Sequence, residues 1–118
     1  MQVRRWNAAA DGPLTESALR QKLEALGYVV ARYEYPPGAR FPDHAHEVDK
    51  IDAVVSGRFR LVIAGHTAQL GPGDWVEVPR GRRHTATVMG DQPVVCLDAV
   101  RRDPGLGSRG WGVQCPTA

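Results

Sequence analysis

The spacing of apolar residues changes character near residue 27. Before it, Leu19, Leu23 and Leu26 recur at steps of four and three, the period of a helix with one greasy stripe. Thr15 stands where its hydroxyl caps the first turn, and Leu14 and Leu19 are placed as a hydrophobic staple across that cap. Gly27 follows where a left-handed residue ends a helix. The stripe predicts a short helix laid against the outside or the open end of a sheet structure, with exchange onto a second copy as the alternative.

From Tyr28 onward the pattern shortens to runs rich in β-branched and aromatic residues: YVVARYEY, IDAVVSG, FRLVIAG, HTAQL, DWVEVP, HTATVMG and PVVCLDAVR. Turn formers separate them at Pro36-Pro37-Gly38, Ser56-Gly57, Ala64-Gly65, Gly71-Pro72-Gly73, Arg80-Gly81 and Gly90-Asp91. Nothing of helix length lies between these runs, which excludes a parallel βαβ sheet and predicts an all-β, single-domain sandwich or barrel of jelly-roll type. The expected organisation is an arm and helix over residues 1–27, a β core over 28–102 and a Gly/Pro-rich tail over 103–118, with Trp111 in that tail either folded back onto the core or exposed.

Composition narrows the function classes. No run approaches the roughly twenty apolar residues of a membrane span, and the start, with two arginines and no apolar stretch behind them, does not read as a secretory signal. The expected location is cytoplasmic. A net charge of +2 spread over separated arginine pairs argues against nucleic acid as a partner. Cys96 in an apolar run and Cys115 near the end are expected to be free thiols.

Chemistry concentrates in two stretches. In the first, Gly38 to Gly57, His44 and His46 are two apart, so on an extended strand their imidazoles share a side. In the second, Gly73 to Val88, His84 is a third imidazole that a suitable fold would add. Period two from His46 also turns Val48, Lys50 and Asp52 inward. His66 lies outside both stretches and reads as a surface residue; Arg58 and Arg60 alternate with Phe59 and Leu61 and read as solvent-facing, with anion binding as the alternative. Trp75, Tyr33 and Tyr35 are candidate aromatic walls, and alternation alone does not decide their side.

The two stretches resemble the paired motifs of the cupin superfamily. Gly38, His44, His46 and Gly57 match the first motif, while Gly73, Pro79, Gly81 and His84 match the second. The resemblance spans roughly residues 30 to 100 and implies a double-stranded β-helix with His44, His46 and His84 as ligands of a divalent ion such as Fe, Zn, Mn or Ni. It departs at one point: Lys50 stands where the family usually places a glutamate ligand. Three readings remain open: three histidines alone hold the ion, Asp49 or Asp52 replaces the glutamate, or a metal-free pocket built on Lys50 takes an anion. The first implies an oxygenase or isomerase-type enzyme of unknown substrate with Lys50 as the catalytic cation; the last, a binding or sensing module for a small molecule. Pairing of two copies into a homodimer is expected under every reading.

Overall fold

A computed structural model of the chain describes residues 1–101. Among these described residues nine strands and two helices follow one another in the order β1 (Val3–Arg5), α1 (Ala8–Asp11), α2 (Glu16–Ala25), β2 (Tyr28–Tyr35), β3 (Arg40–His44), β4 (Lys50–Ser56), β5 (Arg58–Ile63), β6 (His66–Leu70), β7 (Asp74–Val78), β8 (His84–Met89) and β9 (Val94–Arg101). The tail and its residues Trp111 and Cys115 lie outside the described residues.

The strands form two antiparallel sheets, one in the order β1-β7-β4-β9-β2 and the other β3-β8-β5-β6. This corrects the expectation of an all-β, closed jelly-roll barrel or double-stranded β-helix. The domain is mixed, with helices as well as strands, and among the described residues no ladder joins one sheet to the other, so each keeps two edges. The reason lies in the corners. From β2 to β9 every connection except the β5–β6 hairpin carries the chain from one sheet to the other, mostly at the Gly- and Pro-rich turns seen in the sequence. Turn residues mark where a strand stops but not which strand it pairs with. Gly57 shows how tight these corners are: at φ +85° it is left-handed, and a Cβ there would lie 2.4 Å from the carbonyl oxygen of Pro93.

Both faces of the five-stranded sheet are covered. On its inner face Tyr35, Val54, Val76, Val78, Val94 and Cys96 meet Phe41, Phe59, Leu61, Ile63 and Val88 of the opposite sheet. On its outer face Ile51, Ala53, Trp75, Leu97 and Ala99 pack under Leu19 and Leu23 of α2. Double burial explains why β4 and β9 read as continuous apolar runs instead of alternating. The helix is capped as expected, Thr15 Oγ1 accepting the Ala18 amide at 3.0 Å, and Gly27 is left-handed. Leu19 and Leu23 are wholly buried, each a gain of about 1.5–3 kcal/mol, whereas Leu26 remains 48% exposed and takes no part in the stripe. Trp75 therefore faces the helix, while Tyr33 and Tyr35 face the space between the sheets.

Candidate metal centre

Strand pairing itself brings the histidines together. His44, the last residue of β3, and His84, the first of β8, are register partners across one ladder, and Ile63 of β5 flanks His84 on its other side. His46 lies just past the end of β3, so the single extended strand expected for both histidines stops short of it. Its position is set instead by the β7–β8 turn, where the Gly81 amide donates to the His46 carbonyl at 2.8 Å. Arg83 closes the same corner, donating to the Asp43 carboxylate at 2.8 Å and to the Asp43 carbonyl at 3.2 Å.

The ring centroids are 4.2 Å (His44–His84), 4.9 Å (His44–His46) and 5.2 Å (His46–His84) apart. One ligand nitrogen from each lies within 4.8 Å of the others. Two of the rings are pinned by backbone: His44 Nδ1 is 2.6 Å from the Pro42 carbonyl and His84 Nδ1 is 3.0 Å from the Arg82 carbonyl. A carbonyl only accepts, so Nδ1 carries the proton and Nε2 presents its lone pair. Those two Nε2 atoms are buried and have no hydrogen-bond partner among the described residues. This is the tautomer a metal-binding histidine needs, oriented by an outer hydrogen bond on the far side of the ring.

Two of the three rings resist protonation. Burial, then the Lys50 ammonium, pushes His46 from its ordinary 6.5 down to about 3, and burial lowers His84 as well. The unfolded chain thus binds protons at acid pH that the folded chain refuses, and stability must fall as pH falls. Metal-free protein is expected to show a constant urea midpoint above about pH 6.5 and a falling one below it, continuing toward pH 3. Asp98, raised from 3.8 to about 6, opposes this trend between those values and flattens the loss without reversing it. A midpoint that holds steady or rises below pH 6 would contradict these assignments.

Lys50 and Asp52 do turn inward, as period two requires, and are 1% and 0% exposed. The Lys50 Nζ is 3.2 Å from Asp52 Oδ1 and 3.4 Å from Asp98 Oδ2, while Cys96 Sγ donates to Asp98 Oδ1 at 3.3 Å. Burial and the neighbouring Asp52 hold the Asp98 carboxyl up. Burial also works to raise Asp52, but Lys50 and then His84 override it and keep Asp52 below the usual range. Asp49 accepts the Arg80 amide at 2.8 Å and does not join the group formed by His44, His46 and His84. His66, Arg58 and Arg60 are exposed. Asp98 has no role in the sequence reading, and Cys96 enters it only as a free thiol, although a charged residue two positions from a cysteine in the run VVCLDAV is the signal that joins them.

The family model described as Cupin domain matches residues 31–100, more than half of the chain. No curated protein matches the sequence. Among solved structures, KdgF from Halomonas sp. is 26% identical with a TM-score of 0.57, the match covering 68% of this chain and 74% of that one. DMSP lyase DddQ from Ruegeria pomeroyi is 32% identical with a TM-score of 0.58, over 66% of this chain and 40% of that one. The cupin domain of Schizosaccharomyces pombe Cnp3, at 18% identity, TM-score 0.60 and coverage of 75% and 64%, is similar in fold alone. This chain thus spans less than two thirds of the latter two proteins.

Proposed function

The chain belongs to the cupin family, and on that premise we propose that it binds one divalent ion through His44, His46 and His84 and acts on a small molecule held at that ion. The observation that carries this reading is the pair of buried, unpartnered Nε2 atoms of His44 and His84, each fixed by a backbone carbonyl behind its ring. Three neutral imidazoles suit Zn, Fe, Mn or Ni. Such an ion, with only three protein ligands, supplies a Lewis acid with free positions for a substrate oxygen, water or dioxygen. The chain's own part is to fix the rings, to keep His46 and His84 unprotonated and to exclude water around them. Oxygenase and isomerase-type chemistry both fit, and the likeness to a DMSP lyase adds lyase chemistry to the classes that this framework supports.

In this reading Lys50 stands at the position where the family pattern places a glutamate, and it serves the reaction as a fixed positive charge beside His46. It acts through its field and does not grip a ligand, because its side chain is buried and anchored by Asp52 and Asp98. The same anchoring weakens the metal-free alternative, since an ammonium already facing two carboxylates has little left to offer an anion. We also carry forward a homodimer: among the described residues β2 pairs only with β9, which leaves its other edge open to a second copy.

The test is metal content. Protein purified without a metal-affinity step and then incubated with Fe(II), Zn, Mn or Ni is expected to retain roughly one ion per chain after dialysis. A content that stays near zero with every ion sinks the proposal.

A further inference from the structure

The histidine group is one of two ligand-rich clusters among the described residues. The other is Asp52, Cys96 and Asp98, whose ligand atoms also lie within 4.8 Å of one another. Its geometry is built into the sheet: Asp52 and Asp98 are register partners on β4 and β9, and Cys96, two residues before Asp98, shares the inner face. All three are buried, at 0%, 0% and 3% exposure. Two carboxylates and a thiol are a donor set that a borderline or thiophilic ion such as Zn would take.

A cation already stands there. The Lys50 Nζ lies between the two carboxylates, 3.2 Å from one and 3.4 Å from the other. The Cys96 thiol donates to the second carboxylate at 3.3 Å and so keeps its proton, where a metal would need the thiolate. We propose that Lys50 is a built-in cation that fills the Asp52–Cys96–Asp98 cluster and thereby confines a divalent ion to His44, His46 and His84. An ammonium attached to β4 cannot diffuse away. An incoming ion would have to drive it into the apolar surroundings of Val54, Val76 and Val78, where an unpaired charge is heavily penalised. One ammonium against two carboxylates leaves one negative charge, toward which the Cys96 thiol directs its hydrogen bond at Asp98. The chain thus keeps its thiol out of metal chemistry and discriminates against thiophilic ions. Only the destination of the ion rests on the reading of the three histidines as a metal centre.

The experiment compares the protein with Lys50→Met, both carrying Cys115→Ser so that Cys96 is the sole thiol. Cobalt(II) is the probe, read by elemental analysis and by the near-ultraviolet thiolate-to-cobalt charge-transfer band. The parent is expected to bind about one ion without the band, and Lys50→Met about two ions with it. Adding Cys96→Ser should remove the band, and Lys50→Arg should behave like the parent. Should two bare carboxylates prevent folding, Lys50→Met with Asp98→Asn removes one charge and keeps Asp52 and Cys96, so the band still reports. A folded variant with no added ion and no band overturns the inference, as does a thiolate band in the parent. A parent that binds nothing while Lys50→Met gains an ion with the band would sink the three-histidine reading and leave this one standing.

Discussion

Replacing His84 with alanine is expected to reduce bound metal from about one ion per chain to near zero after dialysis, a loss well beyond the 10–100-fold that removal of an outer-sphere partner costs. Of the three imidazoles, His84 is the most deeply placed, 2% exposed and flanked in its sheet by His44 and Ile63. Its Nδ1 is engaged by the Arg82 carbonyl, so only Nε2 is left to bind an ion. Removing the ring leaves a two-nitrogen site. Because the truncation also opens a cavity, His84→Gln serves as the control, similar in bulk and folded but with a weaker ligand. Metal retention in a folded His84→Ala protein at the level of the parent would show that the ion sits elsewhere.

Lys50→Glu is expected to be the most destabilising single change in the metal-free protein. It replaces the one cation between Asp52 and Asp98 with a third carboxylate, in a place where all three side chains are 3% exposed or less. Breaking a buried ion pair from one side costs about 3–5 kcal/mol, and the added repulsion raises that, so the melting temperature should fall by roughly 10–30 °C. A divalent ion should restore much of the loss if, as proposed, residue 50 holds the place of the family's glutamate ligand, since binding to the folded state alone stabilises it. Thermal melts with and without Zn or Mn measure both effects. A metal-free variant as stable as the parent would show that the residue 50 side chain does not face the two aspartates.

Much of this was legible in the chain. The runs from Tyr28 to Arg101 predicted strands at nearly the observed bounds, because β-branched residues between Gly and Pro corners are a strong local signal. The Thr15 cap, the Leu19–Leu23 stripe and Gly27 likewise marked α2. What escaped were β1 and α1, three and four residues long and too short to show any period, and the bounds of β3, whose segment RFPDH holds no β-branched residue. That the two sheets stay open also escaped: whether β2 and β6 find further partners depends on how far each corner swings, which no residue pattern states. At the site, the spacing of His44, His46 and His84 announced the histidine group. The Lys50–Asp52–Asp98 network did not announce itself, since β4 and β9 are joined across a long stretch of sequence and only their register places the aspartates opposite one another.

The repeated crossing between sheets governs how the molecule must assemble. Within the five-stranded sheet no strand lies beside its neighbour in sequence: β1 pairs with β7, β4 with β7 and β9, and β2 with β9. Only the β5–β6 hairpin can close early at small entropic cost, and the remaining ladders require long loops to be drawn in before their bonds compensate. Acquisition of the native state is therefore expected on the millisecond-to-second scale of non-local β topologies, with the hairpin as the first fixed element. β9, the last strand of the described residues, completes the inner ladders, so during synthesis on the ribosome the sheet that carries Lys50 stays unfinished until β9 itself has emerged.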